Sequence, residues 1–372
     1  MKRFSQRAFG WALAAVTISA VVAAGVAASR PAVGLAQESF QGQWLVEHRA
    51  DEGKGERTYL TLRYREEKTG RDGRRHTSNW DTTRAVEPGS LHGLTREQAF
   101  SAGGASVRFQ IRRDAGTFEC EGWFKAGSGS GHFTFAPSAQ FVAELQRRGV
   151  GTPDSRQLLT LALADTGLAL LDELRAQGYE QPNVERLVRL GDHGVRLDYV
   201  RGLNRLGYRL GTLDALVRMR DHGVSLDFIT ELRDAGFKNL TAEELVRTRD
   251  HGVSVSFMRE LEAAGYTAPA TLEGLIRLRD HGVSATFIRG LRAEGYASLP
   301  LDTLVRLRDH GVSVSYVREL KELGYANLAP EHLVRLKDHG VSASFIRRVK
   351  SRRGDTPPVE ELIRLRNHGD RE

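Results

Sequence analysis

The chain carries one cysteine, Cys120, among 372 residues. No disulfide can form within it, and a CxxC zinc site is excluded for the same reason. It has no HExxH motif, and His48, His76, His92 and His132 are scattered without a triad-like arrangement. That spacing gives no support to a hydrolase. An enzyme site in the first part of the chain would have to draw on His76, His92, His132 and Asp81, which nothing in the sequence brings together. Zinc-finger spacing and an aromatic RNA-binding signature are both missing. Nor does either sign of charge dominate: Lys and Arg number 54 against 47 Asp and Glu, for a net +7. That excess favours anionic partners but says nothing about fold.

The N-terminal residues speak to compartment. Lys2, Arg3 and Arg7 form a positive stretch, and residues 9–28 are an uncharged, apolar run rich in Ala and Val. Gly34 and Ala36 place small residues at the −3 and −1 positions of a cleavage site. Residues 1–36 therefore read as a secretory signal peptide, cut after Ala36. The competing reading is an uncleaved anchor facing the periplasm, since twenty apolar residues can span a bilayer. No cysteine follows the run, against a lipoprotein, and no twin-arginine pair precedes it. Both readings put residues 40–372 outside the cytoplasm, periplasmic or extracellular. Nucleic acid is discounted as a partner on that ground, and the membrane enters only through an uncleaved N-terminal segment.

Residues 40–137 read as strands. Segments 44–48, 58–64, 105–112, 117–124 and 132–135 alternate apolar with polar, and Gly-rich punctuation separates them. Phe118, Cys120, Gly122 and Phe124 share one face, so Cys120 reads as a small buried hydrophobe. A small antiparallel β-sandwich or open barrel follows from this pattern. The basic loop Arg71, Arg74, Arg75 and His76 reads as a solvated hairpin tip, with anion contact as the alternative.

From residue 138 the chain repeats itself. Seven segments of the form Leu-Val/Ile-Arg-x-x-Asp/Asn-His-Gly end at Gly194, Gly223, Gly252, Gly282, Gly311, Gly340 and Gly369. Their histidines are His193, His222, His251, His281, His310, His339 and His368, spaced 29 residues apart, once 30. A degenerate unit precedes them, with Ala164 where histidine would stand. In one unit, Thr241 and Glu244 form a capping box that opens a helix. Gly252 ends that helix with His251 in its last turn, where histidine suits the helix dipole. Ser254 caps a second helix with Phe257, Met258, Leu261 and Ala264 on one face, and Gly265 stops it. Helices of about ten residues are unstable alone, so the units must stack into an α-solenoid-like array. The pairs His222 and Gly223, His251 and Gly252, His281 and Gly282, His310 and Gly311, His339 and Gly340 are therefore structural caps. Stacked helices lie about 8–10 Å apart, too far for neighbouring histidines to share zinc at ~2.1 Å. No metal and no other cofactor is expected.

Arginine recurs in columns. Four residues before each histidine stand Arg189, Arg218, Arg247, Arg277, Arg306, Arg335 and Arg364; two before stand Arg220, Arg249, Arg279, Arg308, Lys337 and Arg366. Eight after it come Arg201, Arg259, Arg289, Arg318 and Arg347. One reading is a cationic ribbon for an acidic protein or envelope polyanion, centred on Arg218, Arg247, Arg277, Arg306 and Arg335. The other is internal pairing, with the column Asp221, Asp250, Asp280, Asp309 and Asp338 and with Glu231, Glu260 and Glu319. The second column also projects near the apolar stripe of its helix, which suggests a structural inter-repeat ion pair or snorkelling.

The unit LVRLRDHGVSVSYVRELKELGY, residues 304–325, resembles repeats of exported, largely uncharacterised bacterial proteins. Similar repeats are appended to some antirepressor metallopeptidases of the β-lactam-sensor type. RDAGTFECEGWF at 113–124 and HFTF at 132–135 are similar to the β domain that accompanies them. The resemblance spans roughly 40–372 and implies no protease, since HExxH is absent. The expectation is an α+β protein with a small β domain (40–137) and a helical array (138–372). Its expected role is to bind a protein partner without catalysis; the alternative is a ligand- or polyanion-binding sensor.

Overall fold

The computed structural model describes residues 40–51, 55–69, 75–266 and 271–368; side chains at 50–51, 55 and 66–80 lie outside the description. The expected signal segment, the loop residues Arg71, Arg74, Arg75 and His76 as side chains, and Gly369 fall outside it too.

Seven strands form one antiparallel sheet: β1 (Phe40–Asp51), β2 (Gly55–Thr69), β3 (Arg75–Val86), β4 (Leu91–His92), β5 (Ala105–Arg113), β6 (Gly116–Lys125) and β7 (Ser128–Pro137). Their order is β3-β2-β1-β7-β6-β5-β4, so the sheet stays open and β3 and β4 are its edges. The β domain thus takes the open form of the expected alternatives. A short helix α1 (Arg96–Ala99) precedes β5, opened by a capping box between Thr95 and Gln98.

Alternation divides the sheet into an apolar and a polar face. Trp44, Leu60, Phe109, Phe118, Cys120, Phe124, Phe133 and Phe135 are buried on the first. Trp44 lies across the facing pair Gly122 and Gly131, and its indole N–H donates to the carbonyls of Glu121 and His132, both at 3.1 Å. A Cβ at Gly122 would sit 2.2 Å from the Ser130 carbonyl and 2.6 Å from the Trp44 ring. Only glycine lets the strand pass there.

The array is a two-layer stack. After α2 (Ala139–Arg147), one layer holds α3 (Ser155–Ala164), α5 (Val184–Asp192), α7 (Leu213–Asp221), α9 (Ala242–Asp250), α11 (Leu272–Asp280), α13 (Leu301–Asp309), α15 (Pro330–Asp338) and α17 (Val359–His368). The other holds α4 (Leu168–Ala176), α6 (Leu197–Arg205), α8 (Leu226–Asp234), α10 (Val255–Ala263), α12 (Ala285–Ala293), α14 (Val314–Glu322) and α16 (Ala343–Arg353). Packing runs between alternate helices, as in α3 with α5, α4 with α6, and α13 with α15. The caps form as their residues dictate. Ser225, Ser254, Ser284, Ser313 and Ser342 each accept the backbone N–H three residues on. At Gly252 the backbone is left-handed, and the amides of Gly252 and Val253 donate to the carbonyls of Arg249 and Thr248, a Schellman closure.

Sheet and array share a core. Phe141, Leu145, Leu158, Leu161 and Leu187 join the apolar face of the sheet in one buried cluster. At this seam the degenerate first unit has Asp165 in the left-handed position that glycine fills elsewhere. Arg113 reaches it at 3.1 Å and Arg84 at 3.8 Å. Arg84 also donates to the Leu163 carbonyl. Burial, with help from the nearby Arg196 charge, lowers its pKa to about 10. The departure from the repeat pattern is the docking contact with the β domain.

Candidate functional site

Stacking turns each residue column into a row, and three rows have defined partners. The histidine row is the first. Nδ1 of His222, His251, His281 and His310 meets the carboxylate of Asp250, Asp280, Asp309 and Asp338 in the next unit, at 2.5–2.7 Å. His193 pairs with Asp221 in the same way, and His339 with Asn367 at 3.1 Å. Each histidine is also the C-cap residue of its helix. Sequence reading found the cap and missed the partner. Adjacent Asp and His diverge on one helix, but a 29-residue stack brings Asp of one unit to His of the unit before. The Asp column therefore answers histidine, and not the arginines to which internal pairing had assigned it.

The second row is the arginine column expected to bind a partner. Arg218 contacts Glu243 at 2.9 Å, Arg247 contacts Glu273 at 2.9 Å, and Arg335 contacts Glu360 at 2.5 Å. Arg277 pairs with Asp302. Glu331 occupies the corresponding register for Arg306, and no ion pair joins them among the described residues. These acids stand in the first turn of the next unit's first helix, where they also favour the helix dipole. About half of each paired arginine side chain remains exposed, with relative accessibilities of 44–50%.

The third row is Arg220, Arg249, Arg279, Arg308, Lys337 and Arg366. Each cation lies over a ring of the preceding unit's second helix: Tyr199, Phe228, Phe257, Phe287, Tyr316 and Phe345, at 4.8–5.5 Å. The same side chains cover the capping glycines; the Arg279 guanidinium would lie 2.9 Å from a Cβ at Gly252. This column is structural, as its position on the helix suggested, and its partners are rings rather than acids. Tyrosines add a further tie that the sequence did not disclose. Tyr208, Tyr296 and Tyr325 donate their hydroxyls to carbonyls of Leu240, Leu328 and Pro357 in the next unit.

The second candidate is the polar face of the sheet. A trough of about 1560 Å³ lies over it. Register aligns Asp81, Arg63, Gln43, His132, Glu121 and Arg108 in one line across six strands. His92 lies beside Gln110 on the edge. Three of the scattered candidates, Asp81, His92 and His132, therefore line one trough. Sequence spacing could not reveal this, because the register of six strands decides it. Glu119 accepts from Gln110 at 2.9 Å, and Gln110 accepts from Arg112 at 3.0 Å, so part of the floor is self-satisfied. Among the described residues no three His, Cys, Asp or Glu side chains converge as a metal-ligand set. Cys120 is buried, and burial pushes its thiol pKa well up, which keeps it protonated and unreactive. No helix among the described residues is long and apolar enough to cross a membrane.

A scan of protein-family models finds no match to the chain, and a search among curated proteins finds none either.

Proposed function

We propose that this chain is an exported, non-catalytic interaction protein whose helical array binds a protein partner in the periplasm or envelope. The supporting observation is the row Arg218, Arg247, Arg277, Arg306 and Arg335, carried in register along one layer, its four paired members still about half exposed and Arg306 exposed. Exposed pairs of this kind contribute only about 0–1 kcal/mol each. A partner's carboxylates can therefore replace the internal acids without touching the core. The resemblance of the repeats to those appended to antirepressor metallopeptidases supports the same compartment.

The test is in-cell crosslinking and recovery of the mature protein, beside a variant with those five arginines changed to Gln. A discrete protein recovered by the parent and lost by the variant is the expected result. Recovery of the same protein by both would remove the row from the site, and recovery by neither would remove the array reading. One observation favours a second reading, a sensor of envelope polyanions or ligands. The trough on the sheet, of about 1560 Å³, carries Arg63, Arg65, Arg108 and Arg112. Polyanion binding there should weaken steeply as salt rises, because exposed charges are screened within about 8 Å at physiological ionic strength.

A further inference from the structure

One seam of the array is open. In the second layer α4 packs on α6, α6 on α8, α10 on α12, α12 on α14 and α14 on α16, but between α8 and α10 the contact thins, as it does in the first layer on both sides of α9. The buried core divides at the same place, into one cluster over residues 170–255 and another over 253–363. A cleft of about 1180 Å³ lies between α8 and α10, wider than the ~300–1,000 Å³ of ordinary small-molecule pockets. Ala235 stands on its wall where Leu206 and Leu323 stand in two other units, although Ala264 shares that register.

Met258 shows what the opening exposes. Its register mates Val200, Ile229, Ile288, Val317 and Ile346 are all buried, whereas Met258 is partly exposed and lines the cleft with Phe237 and Tyr266. Acids stand on the rim: Glu231 and Asp234 from α8 and Glu262 from α10, against the single cation Arg259. The register that closes as Arg201–Glu173 and Arg347–Glu319 elsewhere would pair Arg259 with Glu231, and that pair is not made among the described residues. A methionine and two aromatic rings under an acidic rim match a segment with an apolar anchor flanked by Lys or Arg.

We propose that the cleft between α8 and α10 docks a cationic, amphipathic segment of the partner protein, its apolar anchor on Met258 and its cations on Glu231, Asp234 and Glu262. This rests on the reading of the array as a protein-binding scaffold and names a second contact on its opposite layer.

The test uses the full mature chain and a fluorescent 14-residue Leu/Lys amphipathic peptide, with a Leu/Glu peptide of the same pattern as control. Cysteine scanning comes first, since buried Cys120 leaves any new thiol the only accessible one. Met258→Cys should label at least tenfold faster than Ile229→Cys or Val317→Cys, and equal rates would close the cleft. The Leu/Lys peptide should bind saturably and shift the emission of a dye at Met258→Cys, with no shift for a dye at Ser315→Cys. E231Q/D234N/E262Q should weaken binding at least tenfold, while E185Q, at an exposed carboxylate on α5 away from the cleft, leaves it unchanged. Equal affinity for the triple variant, equal binding of the Leu/Glu peptide, or no saturable binding overturns the proposal. If the crosslinked partner is still recovered in that event, the array reading stands and the cleft alone is lost.

Discussion

A glycine in this repeat has two reasons to be glycine, and they act on different sides of the same atom. Gly252 holds a left-handed backbone at φ +67°, which an L side chain adopts at a cost of about 1–2 kcal/mol. Its missing Cβ also leaves the seat that the Arg279 guanidinium occupies from the next unit. Gly178 has a similar φ of +81° and open space around it. Gly252→Ala should therefore destabilise the chain more than Gly178→Ala, by up to about 1 kcal/mol beyond the shared backbone strain, because the Arg279 guanidinium must shift on the Phe257 ring as well. Urea unfolding of the two variants checks this, and equal midpoints would mean that the cation–ring contact contributes nothing. The cap itself was legible in the sequence, since helix ends are written in neighbouring residues. The cation above it was not, because Gly252 and Arg279 are 27 positions apart and meet only in the stack.

At the scale of the element, local signals decided what could be read. Each helix of the array is opened by a cap or closed by a glycine within four residues of its end, so the repeats and their boundaries followed from sequence alone. Ser284 is representative: its hydroxyl accepts the Phe287 amide at 3.2 Å. Ser284→Ala should cost about 1 kcal/mol, and Ser284→Asp, which keeps an acceptor, should restore most of it in thermal unfolding. An alanine as stable as the parent would show that neighbouring units already hold the helix. The sheet was legible where a strand has a buried face. The segments at 44–48, 58–64, 105–112, 117–124 and 132–135 all lie within strands. β3 and β4 went unread. Each is an edge with a partner on one side only, and residues 81–86 of β3 are exposed or only partly buried, so no apolar alternation marks them. The trough was illegible for a related reason. Asp81, His92 and His132 share it through the register of strands far apart in sequence, a quantity that no spacing rule contains.

For the molecule as a whole, charge is the device that joins one unit to the next, and acid should undo it. Glu173 is bound by Arg201, Glu294 by Arg318 and Lys321, and Glu360 by Arg335, each bridging consecutive units. Hydrogen bonds from these cations hold all three carboxyls below the usual glutamate pKa. Glu361, held by Arg364 and Arg353, falls to about 2. A carboxyl with a depressed folded pKa adds stability above its unfolded pKa of about 4.3 and loses it as pH falls through the folded value. The contribution should be complete at neutral pH and drain away between about pH 4.3 and pH 2. These groups are screened by solvent, so no single one decides the outcome; the effect is the sum along the array. Melting temperature measured across that window should fall in the parent. In the variant E173Q/E294Q/E360Q it should start lower at pH 6 and fall less steeply, since those protons no longer have a carboxylate to neutralise. Parallel slopes would assign acid lability to carboxyls paired within one helix, such as Glu144 beside Arg147 and Arg148, whose pKa also falls to about 2, and not to the ties between units. Loss between units loosens the helical signal gradually, as expected of a stack whose units touch only their neighbours.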